Sequence, residues 1–368
     1  MVLVQLYNDG PAESFNPWEY EHLPIWRGGV VGEMIKENKP QVFQEVDWSR
    51  DENLGEKLRG FHSVMAMPMR GSRLPVSWVL LLLEEPDVWT PEDLEHSMLR
   101  TAIIGTLLES QTIGQELESA NERIDGEIKQ LAELQRSLLP DPLPNIPGLE
   151  IAASYEPSGR AGGDLYDFFP LYSGGKPPEQ WCIFIGDASG HGAAAAVVMA
   201  IVQTILHAHP KDTRSASELL TYANRHLCKK KLGGFVTAFV GIYEPATRKM
   251  VYASAGHPPP LVKSGSNGGM SMLDEVASYP LGIDKENRFR EGTVQLHPGD
   301  TVVMYTDGIT EARNPEHEMF ELDRLQCAIK SAQDGPEKLI GQLHKAVCEF
   351  QRGRSQIDDQ TMVAVRSV

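Results

Sequence analysis

The chain is short of cysteine, short of basic residues and without a long apolar run, and each shortage excludes something. Its four cysteines among 368 residues are Cys182, Cys228, Cys327 and Cys348. None forms a CxxC pair, so neither a zinc site nor a disulfide framework is expected, and reduced thiols in a cytoplasmic protein are the expected state. Lys and Arg number 34 against 51 Asp and Glu, a formal net charge of −17. That sign repels nucleic acid and anionic membrane, so neither is expected as a partner, whereas cations are compatible with it. The longest apolar stretch, VSWVLLLL, is far below the roughly 18 residues of a membrane span and reads as a buried strand. MVLVQLYNDG lacks a basic segment and a cleavage site, so no signal peptide is expected. A P-loop is absent. Ser189 is no nucleophile elbow, because Asp187 and His191 stand where glycines would have to be. His207 and His209 lack HExxH spacing.

What is present falls into three zones. Residues 1–90 alternate short strand-like runs (MVLVQLY, KPQVFQEV, SVMAMPMR, VSWVLLLLE) with turns, and GGVVGEMIKEN reads as a short helix. Residues 91–139 read as helix, opened by Thr90 as cap, Pro91 in the first turn and Asp93 three residues after the cap. Ile113, Leu117, Ala120, Ile124, Leu131, Leu134 and Leu138 recur at alternating steps of four and three, with Glu127 filling the one missed slot. That spacing predicts a coiled-coil seam and a homodimer, with an amphipathic helix packed on its own domain as the alternative. Residues 140–368 hold many strand-like runs and two successive helices, AAAAVVMAIVQTILHA and SASELLTYANRHLCKK. This is not a βαβ alternation, and the expectation is a largely antiparallel α+β domain.

The chemistry lies in that third zone, where carboxylates sit at strand ends. Asp164 follows a Gly-Gly pair, with Asp167 three residues later; Asp187 follows WCIFIG; Asp307 follows TVVMYT; Asp358 and Asp359 precede TMVAV. Taken singly, each of these acids is ordinarily a turn residue. Taken together, acids at the edge of a buried sheet repel one another and lose hydration unless a cation compensates. No matching set of Lys or Arg accompanies them, so Mg2+ or Mn2+ is the natural partner. Two such ions about 3.5–4 Å apart share a carboxylate and a water that becomes a nucleophile toward phosphorus. Asp187 is the expected shared ligand. The small residues in GDASGHGAAAA leave room for backbone carbonyls and waters. His191 is read as a helix-start residue that packs or hydrogen-bonds locally.

The motifs LQRSLLPDPLP, GGDLYDFF, GDASGHGAAAA, SAGHPPPLV, PLGI, LHPGDTVVMYTDGITEARN and IDDQTMVAV, in this order, resemble those of SpoIIE/RsbU-like serine phosphatases. These are the bacterial branch of the protein phosphatase 2C-like superfamily. The resemblance covers roughly residues 131–368. It implies a four-layer α-β-β-α sandwich of two antiparallel sheets, two Mn2+ or Mg2+ ions, and hydrolysis of phosphoserine or phosphothreonine without a phosphoenzyme. By matching motifs, Asp187 would bridge the metals with help from the Ala188 carbonyl. Asp307 and Asp358 would complete the first metal site, and Asp164 would lie near the second, with Asp359 as neighbour or alternate ligand. Arg160 is a weaker candidate for holding phosphate. MFELDRL departs from the family's usual Phe-Gly pair, which puts that local turn in question. The family's usual substrate is a phosphorylated anti-anti-sigma (STAS-type) protein.

The first zone resembles a GAF domain, an α/β sensor, through GVVGEMIKENKPQVFQEV, FHSVMAMPM, VSWVLLLLEE and WTPEDLE. That resemblance implies a small ligand or protein bound there and regulation of the catalytic domain through the helical linker. The competing readings are a catalytically silent signalling module, which loss of an acidic ligand would favour, and a metal-dependent hydrolase of another phosphoester.

Overall fold

β-Branched and aromatic runs form the strands, and runs with helical apolar spacing form the helices. The computed structural model describes residues 28–69, 77–159, 161–171, 179–209, 215–230, 234–332 and 335–368. The strand expected at MVLVQLY and the candidate Arg160 lie outside them. The chain divides into two compact units, one up to Glu122 and one from Arg123 onward.

The first unit contains α1 (Gly29–Met34), β1 (Gln41–Phe43), α2 (Gly55–Leu58), β2 (Ser63–Met69), β3 (Ser77–Leu83) and much of α3 (Pro91–Arg136). The strands form an antiparallel sheet in the order β1-β2-β3. Val31, Met34, Trp48, Leu54 and Leu58 make its small core. Helix α3 opens on a reciprocal cap: the Asp93 amide donates to Thr90 Oγ1 (3.2 Å), and Asp93 Oδ2 accepts from the Thr90 amide (2.9 Å). Ile113, Leu117, Ile124 and Leu134 are exposed along the helix. Leu138, expected to end the seam, lies beyond the helix and packs into the core of the second unit. The prolines at 140, 142 and 144 cannot continue the helix, and they restrict the residues before them.

The second unit runs β4 (Leu149–Glu156), β5 (Asp164–Leu171), β6 (Gln180–Ala188), α4 (Ala193–His207), α5 (Ala216–Lys230), β7 (Val236–Glu244), β8 (Lys249–Ala255), β9 (Leu261–Lys263), β10 (Met270–Met272), β11 (Gly292–Gln295), β12 (Thr301–Tyr305), α6 (Asp307–Thr310), α7 (Glu321–Ser331), α8 (Pro336–Gln351) and β13 (Gln360–Ser367). Two five-stranded antiparallel sheets result, ordered β10-β9-β12-β13-β4 and β11-β8-β7-β6-β5. Tyr166, Phe168, Ile183, Val302, Met304 and Val363 pack between the sheets. Leu165, Phe184, Met199 and Leu219 pack α4 and α5 onto the second sheet. Val303, Leu325 and Leu343 pack α7 and α8 onto the first. The four-layer α-β-β-α expectation therefore holds for this unit.

Five elements, α2, β9, β10, α6 and α7, were not visible in the residue pattern. Strands β9 and β10 are three residues each, too short to display alternation. Helix α7 begins without a side-chain cap, at Glu321 with φ 61°. Glu321 thus occupies the left-handed conformation that a glycine favours, at the position where the Phe-Gly pair was expected.

Candidate active site at the facing sheet edges

The antiparallel register sets Asp164, the first residue of β5, directly opposite Asp187 near the end of β6. Side chains alternate faces along a strand, so Asp164 shares the face of Tyr166 and Phe168, toward the other sheet. There Thr306 Oγ1 and Thr361 Oγ1 both donate to Asp164 Oδ2, at 2.7 and 2.6 Å. Thr306 immediately precedes Asp307, and Thr361 follows Asp358 and Asp359 on β13. One buried carboxylate thus joins the two sheets; the charges of Asp187 and Asp359 act on it, and those of Asp307, Asp358 and Asp359 act on Asp187. Sequence reasoning missed both threonines, although each stands within three residues of its acid.

Gly308 allows the approach of the two motifs: a Cβ there would collide with the Asp359 carbonyl oxygen. Gly163 does the same beside β6. A Cβ on it would lie 2.8 Å from the Ala188 carbonyl oxygen and 3.1 Å from Ala195 Cβ. Within GDASGHGAAAA, Gly186 is held by close approach, since a Cβ there would lie 2.9 Å from the Thr237 carbonyl oxygen, whereas Gly190 and Gly192 have open space and positive φ, 93° and 78°.

Burial is the first cause that raises Asp164 well above the ordinary carboxylate range, and the Asp187 charge is the second. Asp187 is pushed up to about 8 by burial and then by Asp307, Asp358 and Asp359. Asp307 is raised by burial and by Glu311. Asp358 is raised mainly by burial and eased by the Asp359 amide, which donates to its Oδ1 at 2.9 Å. Among the described residues no Lys or Arg pairs with any of these acids. A site so loaded with oxygen anions fits a hard divalent cation in charge and donor type. Among the described residues no three acidic, His or Cys side chains converge as a ready-made cage.

Asp359 is committed to the chain. Its Oδ1 accepts from the Ser158 amide (2.7 Å) and Ser158 Oγ (3.0 Å), and its Oδ2 accepts from the Gly163 amide. Asp167, grouped with Asp164 in the sequence, is not part of the cluster. It points to the helical side, where its Oδ2 meets Gln203 Nε2 and His207 Nε2, both at 2.7 Å, and the Phe168 amide donates to its Oδ1. His191 is exposed, near enough to Asp358 to lower it. Ser189 Oγ accepts from the Phe235 amide at 2.9 Å, a structural use.

The family model for stage II sporulation protein E (SpoIIE) matches residues 177–368, more than half of the chain. Phosphoserine phosphatase RsbU of Bacillus subtilis is 28% identical over 280 residues, 75% of this chain and 81% of that protein. Among solved structures, the SiaA-PP2C domain of Pseudomonas aeruginosa superposes with a TM-score of 0.57 at 20% identity, over 68% of this chain and 99% of that one. The RsbU and RsbW domains of a Mycobacterium tuberculosis protein superpose with a TM-score of 0.50 at 27% identity, over 61% of each chain. The first of these structures supports the fold alone.

Proposed function

Because the chain belongs to the SpoIIE family, we propose that it is a metal-dependent protein serine/threonine phosphatase that hydrolyses phosphoserine or phosphothreonine. The observation that carries this reading is the meeting of Asp164, Asp187, Asp307 and Asp358 at two sheet edges without a basic partner. Asp187, Asp307 and Asp358 would hold one divalent cation. Asp187, the Ala188 carbonyl and Asp164 would serve a second, and Mn2+ and Mg2+ both suit these donors. Bound cations would supply neutralising charge and an activated water for attack on phosphorus.

The chain's own residues do the positioning. Thr306 and Thr361 fix one oxygen of Asp164, which stands opposite Asp187 in the ladder. Asp359 anchors the Gly163 amide and Ser158, and would stand as neighbour or alternate ligand to the second cation. Asp164 and Asp187 are neighbouring buried carboxyls that disfavour joint ionisation, and a bound cation would favour the ionised form of both.

The substrate on this reading is a phosphoprotein of the anti-anti-sigma (STAS) type, in keeping with the RsbU relative. Residues 1–90 would act as a GAF-like sensor for a small ligand or protein, and α3 as the linker that conveys its state. The exposed Ile113, Leu117 and Ile124 suit a coiled-coil dimer. Light scattering of the full chain should give about twice its 40.8 kDa mass. Phosphate release from a phosphoserine protein with Mn2+, against the same mixture with EDTA, tests the activity. Release that is equal in the two mixtures would remove the metal-dependent reading.

A further inference from the structure

The last turn of α3 reaches the carboxylate site through one side chain. Gln135 is only 4% exposed. Its Nε2 donates to the Gly162 carbonyl oxygen at 2.6 Å, and its Oε1 accepts from the Gly162 amide at 3.0 Å. Both hydrogen-bonding groups of one backbone residue are thus satisfied by one glutamine, 27 positions away in the chain. Glycine at 162 leaves room for this: a Cβ there would strike the Asp359 carboxylate and the Tyr155 hydroxyl.

The neighbours of Gly162 make that clasp consequential. Gly163 donates its amide to Asp359 and accepts the Ala188 amide on its carbonyl at 2.9 Å. Asp164 follows directly and begins β5. Three consecutive residues therefore link Gln135 to Asp359, Ala188, Asp164 and, across the ladder, Asp187. Two glycines in succession cannot hold such a segment by their own conformational preference. An outside template is needed: Asp359 and Ala188 supply it at Gly163, and Gln135 supplies it at Gly162, where it bonds both the amide and the carbonyl.

We infer that Gln135 is a positioning residue of the phosphatase site, fixing the Gly162–Asp164 backbone and through it the Asp164 carboxylate. The inference rests on the metal-dependent reading only for the role of Asp164; the clasp itself is independent of it. Gln135 does not touch the reacting centre. It places the segment that does, and it ties the position of that segment to the end of the linker helix. Leu138 and Gln203 join the same helix end to α4, since Gln203 Nε2 donates to the Leu138 carbonyl at 2.8 Å. That bond leaves the 162–164 segment untouched.

The test uses the full chain with Gln135→Met, which keeps the length and removes both hydrogen bonds. Ser137→Ala, whose hydroxyl bonds only the Leu134 carbonyl, is the control. In metal-free protein, amide exchange at residues 162–164 should accelerate about tenfold, the scale set by unpairing buried backbone groups, while exchange in β6 and β7 stays as in the parent. Mn2+ affinity by calorimetry should fall several-fold, and Ser137→Ala should match the parent in both. Should Gln135→Met fail to fold, Gln135→Glu is measured instead. It keeps the acceptor for the Gly162 amide and loses the donor, so acceleration confined to residues 162–164 is again expected. Unchanged exchange at 162–164 in a folded variant overturns the inference, as does faster exchange with unchanged Mn2+ affinity. A parent chain that binds Mn2+ yet releases no phosphate would overturn the phosphatase reading and leave the positioning result standing.

Discussion

The two faces of strand β5 carry buried aspartates three residues apart and treat them oppositely. On the face toward the other sheet, Asp164 meets Asp187 with two threonine hydroxyls and no cation. On the helix face, Asp167 meets His207, Gln203 and a backbone amide. The second arrangement is a satisfied structural carboxylate, because every near neighbour can donate a proton. The first leaves like charges facing one another, and a fold retains such repulsion where a ligand relieves it. Burial alone does not mark a functional acid; the identity of its partners does.

The sharpest way to break this comparison is a neutral amide on each face. Asp187→Asn should lower Mn2+-dependent phosphate release by at least about a hundredfold, because one residue serves both proposed cation sites. Its melting temperature without metal should not fall, since a repelling charge is removed. Near-parental turnover would end the bridging assignment.

A steric change at the junction comes next. Gly308→Ala places a Cβ against the Asp359 carbonyl and should destabilise the second unit by about 3 kcal/mol, read in a urea titration. A variant as stable as the parent would show that the two motifs can separate without loss.

The charge difference also predicts a pH response in chelated protein. The folded-state pKa of Asp187, about 8, exceeds its ordinary value of 3.8, so its protonated form favours the fold. That contribution is complete below the ordinary value and is lost as pH rises toward 8. Stability should therefore drop by about 2 kcal/mol between pH 6 and 8 with EDTA, and Asp187→Asn should flatten the curve. Saturating Mn2+ should abolish the drop. His257, held down to about 3 by burial, acts in the other direction and only in acid. Its contribution is present above pH 6.5 and is lost as pH falls below that.

The smallest effect belongs to the helix face. Asp167→Asn should cost about 1 kcal/mol of stability and leave turnover within about twofold of the parent. A loss of activity comparable to that of Asp187→Asn would erase the distinction between the faces.

Much of the catalytic unit was legible in its residues. Apolar alternation located β5, β6, β7 and β13, Thr90 and Asp93 marked the start of α3, and the run of prolines marked its end. The acids of the four motifs stood out because three of the four touch an apolar strand directly and no matching set of basic residues accompanies them. Period-two alternation already separates Asp164 from Asp167, since an odd spacing puts them on opposite faces. Strands of three residues, such as β9 and β10, carry too little pattern to be read.

What the sequence determined by itself is local: which segments are extended or helical, where each stops, and which residue types stand at the ends. Those follow from side-chain period, caps and the proline constraint, all acting within a few residues. Only the tertiary structure decided that Asp164 faces Asp187, that Thr306 and Thr361 share one of its oxygens, that Asp359 serves Gly163, and that Gln135 clasps Gly162. Each of those contacts joins residues more than twenty positions apart. Their pairing is set by ladder register and by the packing of one sheet on another, which no local preference encodes.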